Sequence, residues 1–140
     1  ELERLNAPER TVVVVDGAEI EVVHPKLDIG HIDDAFDSRS QTLVRTRDAN
    51  PCVIELALSE PTPVSVVSLH LTAEQYDVAV TVAPADGGEQ VVVEEGFAEL
   101  PANSWITLEM PRGPVPARSL TISISRPGDG HIHIREIRLR

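Results

Sequence analysis

The chain has 140 residues, of which 41% are hydrophobic, 25% charged and only 3% aromatic, a composition that suits one compact domain and leaves little room for a second. Twelve Lys and Arg against 23 Asp and Glu give a net charge of -11, which excludes the basic footprint of a general nucleic-acid binder. Its longest apolar runs, such as Val12 to Val15 and Val91 to Val93, are far too short to cross a bilayer, so no membrane contact is expected of this chain itself.

A first residue other than Met leads to the expectation of a fragment or processed chain of a larger protein. Cys52 is the only cysteine. An internal disulfide and a cysteine-rich metal site are therefore excluded, and the chain fits a reducing compartment or an export route that does without disulfides.

In chain order, Asp16-Gly17 is the first turn signal and Ile32 to Ser38 is long enough for one short helical turn. From Cys52 the residues Cys52, Ile54, Leu56 and Leu58 share one face and Val53, Glu55 and Ala57 the other. This is the period of a half-buried strand. Ser59-Glu60-Pro61-Thr62-Pro63 predicts a turn after it. In the next segment Val64 and Val66 share one parity while Val67, Leu69 and Leu71 share the other, which a one-residue bulge near Val66 would reconcile. Val78, Val80 and Val82 alternate with Asp77, Ala79 and Thr81, and turn chemistry follows at Asp86-Gly87-Gly88. Ile106 and Leu108, then Leu120, Ile122 and Ile124, repeat the alternation on either side of Pro111-Arg112-Gly113-Pro114. After Pro127-Gly128-Asp129-Gly130, Ile132 and Ile134 are out of phase with Ile137 and Leu139, and a bulge near Arg135-Glu136 restores the phase. No segment carries a sustained helical stripe. At least seven short strands with such turns predict an antiparallel β-sandwich.

Charge is uneven along the chain. Asp86, Glu89, Glu94, Glu95 and Glu99 lie in a stretch with no basic residue, whereas Arg118, Arg126, Arg135, Arg138 and Arg140 dominate the C-terminal part. The simplest expectation is that two such strands pair with complementary exposed faces.

The segment Asp33-Asp34-Ala35-Phe36-Asp37-Ser38-Arg39-Ser40-Gln41-Thr42-Leu43-Val44-Arg45-Thr46 resembles the opening motif of discoidin domains, also called coagulation factor V/VIII type C domains, which are relatives of the galactose-binding-like jelly rolls. Asn50-Pro51 then leads into an apolar strand, as in that family. Pro63-Val64 to Leu71, Tyr76-Asp77-Val78-Ala79-Val80 with Asp86-Gly87, Ala117 to Ile122, and His133-Ile134-Arg135-Glu136-Ile137 resemble its later strands in order. The resemblance covers roughly residues 32–139 and leaves 1–31 as added N-terminal strands within a single 1–140 domain. Three positions depart from the pattern: Ser38 where Gly is usual, Arg39 where a second Asp is usual, and Val44 where Trp is usual.

The resemblance implies an all-β antiparallel jelly-roll sandwich with a structural Ca²⁺. Its ligands would be Asp37, Thr42 and Glu136, with the backbone carbonyls of Ala35 and Arg39. Hard oxygens from a loop and a distant strand suit this ion. The alternative is that Asp37 caps a turn, Glu136 pairs with an arginine, and Arg39 approaches the cation position. The resemblance further implies a non-catalytic accessory module that recognises a glycan or cell surface, within a larger extracytoplasmic or membrane-anchored protein such as a glycosidase or membrane glycosyltransferase. His31, Arg45, Arg47 and Asn50 form the polar cluster for sugar hydroxyls, against the plainer reading of a solvated loop with ion pairs. A spacer or protein-interaction domain with an acidic sheet face and no small ligand is the structural alternative.

An enzyme has no motif behind it. His131-x-His133 could bind zinc or copper, but further ligands are not identifiable among His24, His31 and His70, and exposed strand histidines are the simpler expectation. Cys52 falls in the inward phase and reads as a buried inert thiol. No nucleophile elbow or phosphate cradle is present. For Trp105, Tyr76 and Phe97 core or edge packing is expected before ligand stacking.

Overall fold

The computed structural model describes residues 8–39, 42–46, 51–72, 75–101, 103–127 and 131–140. Eleven strands run β1 (Glu9–Val15), β2 (Ala18–His24), β3 (Leu27–Ile29), β4 (Val44–Thr46), β5 (Cys52–Val64), β6 (Val66–Leu71), β7 (Tyr76–Pro84), β8 (Val91–Phe97), β9 (Ser104–Glu109), β10 (Val115–Ser125) and β11 (His133–Leu139), with one 3-10 turn at Ile32–Phe36. They form a six-stranded sheet, ordered β1-β2-β5-β10-β7-β8, and a five-stranded sheet, ordered β3-β4-β11-β6-β9. Every neighbouring pair is antiparallel. This is the expected all-β sandwich.

Alternation places the core. Cys52, Ile54 and Leu56 of β5, Val78, Val80 and Val82 of β7, and Leu120, Ile122 and Ile124 of β10 are buried on the inner face of the larger sheet. Val67, Leu69, Leu71, Ile106, Leu108, Ile134 and Ile137 oppose them from the smaller one. Hydrophobic burial of these two inner faces is the main favourable term. Ile32, Ala35 and Phe36 of the 3-10 turn join the same cluster. The N-terminal segment supplies the β1–β2 hairpin, turning through Asp16 (φ 51°) and Gly17 (φ 80°). Two successive positive φ values are what a two-residue type I′ hairpin requires.

The Arg135-Glu136 bulge is present: Ile134 pairs with Leu71 and Glu136 with His70, leaving Arg135 as the extra residue. Three other expectations are corrected. The parity change at Val64 to Val67 is a change of sheet. β5 ends at Val64 in the six-stranded sheet, and β6 starts at Val66 in the five-stranded one. The corner between them is pinned by the Arg140 carbonyl, which accepts from the Ser65 and Val66 N–H groups. Ser59 to Pro63 does not end the strand, because β5 continues past an irregularity where its partners on β10 step from Ser119 (opposite Ala57) to Ala117 (opposite Thr62). Finally, acidic β8 is an edge strand paired with β7, not with the arginine-bearing C-terminal strands.

Ile122 lies fully buried on β10, between β5 and β7. Truncating Ile122→Ala leaves a cavity bounded by two strands that cannot both collapse, and is expected to cost about 2–5 kcal/mol. Urea denaturation followed by circular dichroism measures this as a lower midpoint with an unchanged slope.

Candidate functional site

The 3-10 turn and the last strand meet at Glu136. After the turn the chain bends through Ser38, whose φ of 60° is left-handed. This aims its N–H at the carboxylate, at 3.1 and 3.2 Å from the two oxygens of Glu136. Glu136 is only 3% exposed. Burial pushes its carboxyl above the usual range; the Ser38 N–H works against this, the nearby Asp37 charge adds to it, and Arg138 opposes it. Arg138 Nε stands 3.9 Å from Oε2, too far for a hydrogen bond.

Asp37 accepts from the Arg39 N–H (2.9 Å) and from the Thr42 hydroxyl (2.7 Å). The same hydroxyl oxygen lies 3.0 Å from the Arg39 carbonyl and 3.3 Å from the Asp34 carbonyl. A hydroxyl has one hydrogen to give, so at least two of these three contacts set oxygen against oxygen without a proton between them. Acceptors in excess of donors, beside a second carboxylate, are what a hard cation satisfies. Asp37, Thr42, Arg39 and Glu136 are thus gathered at one end of the sandwich. Ala35 is fully buried in the turn, and the Asp34 carbonyl is the one that meets Thr42.

The polar cluster divides. Arg47 and Asn50 lie outside the described residues. His31 is exposed ahead of the 3-10 turn, where its carbonyl accepts from the Asp34 N–H at 2.8 Å. Arg45 makes a two-point pair with Asp28, Nε to Oδ1 at 2.8 Å and a terminal nitrogen to Oδ2 at 2.7 Å. The bonded guanidinium holds the Asp28 carboxyl below its usual range, and the carboxylate holds Arg45 above its own. His133 stands opposite Arg45 across the β4–β11 ladder. Burial, then the positive charges of Arg45 and His131, push its imidazole below the ordinary value, which favours the neutral ring at pH 7. Sequence reasoning missed Asp28, whose partner is on another strand, because Leu27-Asp28-Ile29 is too short to show a period.

Among the described residues no group of three or more His, Cys, Asp or Glu is placed to hold a metal. His131 Nδ1 is bonded to the Thr46 carbonyl at 2.7 Å, and His24 to Thr11 and the Pro25 carbonyl. The structure therefore does not assemble the histidines into one centre. Cys52 is 1% exposed, and burial pushes its thiol up to about 12, as expected of an inert cysteine.

No family model matches the sequence, and neither does any curated protein. Solved structures do. The family 32 carbohydrate-binding module of NanJ from Clostridium perfringens, in complex with galactose, superposes over 94% of this chain and 98% of that one with a TM-score of 0.69 at 16% identity. That of AlyQ, in complex with 4,5-unsaturated mannuronic acid, covers 93% of this chain and 98% of its own with a TM-score of 0.68 at 11% identity. A Clostridium perfringens family 32 module in complex with GalNAc-β-1,3-galactose covers 86% and 94%, with a TM-score of 0.58 at 13% identity. This chain has the family 32 module fold.

In this family 32-type fold the departures from the discoidin motif acquire a geometry. Val44 is fully buried, an apolar residue filling core space. Tyr76 is buried as well, Phe97 is half-buried against the core, and Trp105 is the exception, 43% exposed. Ser38 keeps the left-handed backbone that Gly adopts without a Cβ penalty. Ser38→Gly removes that penalty while retaining the N–H that binds Glu136. It should raise stability by about 0.5–1 kcal/mol after the extra chain entropy of glycine is counted, read as an upward shift in the urea midpoint.

Proposed function

We propose that the chain is a non-catalytic glycan-binding module of a larger extracytoplasmic protein, with its ligand face around Arg45. The observation that carries this is the end-to-end match to whole modules solved with sugars bound, over 94% of this chain and 98% of the NanJ module. Fold alone does not fix function, so the local chemistry matters. Arg45, Asp28 and His133 present donors and acceptors on one partly exposed face, and a locked Arg–carboxylate pair offers preorganised groups for sugar hydroxyls. His31, Arg47 and Asn50 belong to the same proposed ligand set. Arg45→Ala removes one half of the pair and leaves Asp28 unmatched. On a glycan array, and by affinity electrophoresis, it should weaken retention by about tenfold or more with circular dichroism unchanged. A wild-type domain retained by no glycan overturns the reading.

The second part of the proposal is a structural Ca²⁺ held by Asp37, Thr42, Glu136 and the carbonyls of Ala35 and Arg39, with the Asp34 carbonyl added. The support is the surplus of acceptor oxygens around the Thr42 hydroxyl and the buried Glu136 beside Asp37. Asp37, Thr42 and Glu136 would hold the ion, which would supply positive charge to the two carboxylates and so join the 3-10 loop to β11.

Excess Ca²⁺ should raise the melting temperature and EDTA lower it; identical curves remove the ion from the site. The pH dependence has a defined sign. In EDTA the folded Glu136 holds its proton more tightly than the unfolded residue does. Its contribution to stability therefore grows as pH falls from neutral through the folded pKa, and levels off below the unfolded one. Saturating Ca²⁺ reverses the slope, because acid then expels the ion. Melting curves from pH 7 to 4, with Glu136→Gln lacking both effects, check this.

A further inference from the structure

The outer face of the five-stranded sheet carries a second group of side chains, centred on Trp105 rather than on Arg45 of β4. Trp105 on β9 stands opposite His70 on β6, His70 stands opposite Glu136 on β11, and Arg138 stands opposite Ser68. The indole stacks on the His70 imidazole with centroids 4.8 Å apart and planes 21° apart. The Arg138 guanidinium carbon lies 4.6 Å from the indole centroid, a cation–π contact. Ser68 and His70 occupy the outward phase of β6, yet they are only 2% and 7% exposed, because this layer covers them.

Two polar atoms under the layer have no hydrogen-bond partner, Ser68 Oγ and His70 Nδ1. His70 Nε2 lies 2.8 Å from the Asn103 carbonyl oxygen. A carbonyl only accepts, so Nε2 carries the hydrogen and Nδ1 is a bare acceptor. Native structures leave few such groups, and each calls for a water, an ion or a ligand. Among the described residues this layer shows the most exposed aromatic side chain of the Phe, Tyr and Trp set: Trp105 is 43% exposed, whereas Tyr76 and Phe36 are in the core and Phe97 is half-buried.

Charge selects the ligand. Arg138 is half-exposed, and its Glu136 neighbour, 3.9 Å away, already receives the Ser38 N–H through both oxygens. Arg135 adds a second positive charge on the same strand, held by Asn103 Oδ1 at 2.9 Å. We propose that Trp105, Arg138 and Arg135 form a second carbohydrate subsite, specific for an acidic sugar residue. The apolar face of a hexuronate ring packs on the exposed part of the indole, and its carboxylate meets Arg138. The subsite is distinct from the one around Arg45: Trp105 on β9 stands three strand intervals, about 14 Å, from β4, while Arg135 and Arg138 lie on the adjacent β11.

Trp105 is the only tryptophan, so its fluorescence reports this face alone. Titration of the whole chain with trigalacturonic acid should change the emission and protect the indole from acrylamide, whereas neutral galactotriose should do neither. Arg138→Gln should weaken the protection by about tenfold or more, and about 0.5 M NaCl should weaken it also. Trp105→Ala should lose the corresponding heat in calorimetry with circular dichroism intact. Arg45→Ala, which disables the site on β4, should leave Trp105 protection in place. Failure of protection by trigalacturonic acid overturns the subsite, whatever the glycan array shows for Arg45. Equal protection by both sugars overturns its charge selectivity, and loss of protection in Arg45→Ala overturns its independence.

Discussion

A buried carboxylate organises one end of this sandwich. Glu136 sits where the extra residue Arg135 breaks the β11 ladder, so the strand can keep Ile134 and Ile137 in the core while presenting a carboxylate to the loop that arrives from 98 residues away. The Ser38 N–H holds both of its oxygens, which fixes where the 3-10 turn must end. That in turn sets Ile32, Ala35 and Phe36 into the core and Asp37 and Thr42 around the same corner. Desolvating a carboxylate for a single backbone N–H is poorly compensated. With Asp37 nearby the imbalance grows, and this electrostatic debt is the physical reason to look for a cation there.

The excess of carboxylates behind the net charge of -11 falls on the strands of the six-stranded sheet and not on those of the five-stranded one. Acidic side chains gather on edge strand β8, where Glu94 and Glu95 are exposed. Like charges along a sheet edge discourage a second chain from adding to it. Arginines gather on the outer face of the other sheet, with Arg45 on β4 and Arg135 and Arg138 on β11. Two of these three are locked by short side-chain bonds, to Asp28 and Asn103. Held guanidinium groups lose less freedom on binding than floppy ones, so an acidic protein can still offer ordered arginines, here alongside Asp28, Glu109 and Glu136 in the same sheet.

The fold was legible wherever a strand was long enough to alternate and had one wet face, as in β5, β7, β9 and β10. The Arg135 bulge was legible because the phase changed within one strand. The same phase change at Ser65 was misread, since parity cannot separate a bulge from a step into the other sheet; only long-range pairing does. The three-residue strands β3 and β4 are too short to show a period, which is why Asp28 was missed beside Arg45. The Asp37, Thr42 and Glu136 grouping was legible only through family resemblance. The stack of His70, Trp105 and Arg138 joins three strands distant in sequence and leaves no local signature.

Ser38 shows why motif and geometry part company. Glycine at that position reflects a left-handed φ, and the motif names the residue where the geometry names a backbone conformation. The requirement is the N–H direction. Serine at φ 60° still delivers its hydrogen to Glu136, at an energetic cost of about 1–2 kcal/mol that the core of a two-sheet sandwich can absorb. Val44 is a parallel case, where a buried aliphatic side chain takes the place of an aromatic one without disturbing β4. Because backbone hydrogen-bond geometry and inward volume are each met by several residue types, the architecture persists at 11–16% identity. Ligand contacts are less permissive, since a sugar carboxylate or hydroxyl needs a particular charged or polar group. That is why the site chemistry must be argued from Arg45, Asp28, Trp105 and Arg138 themselves.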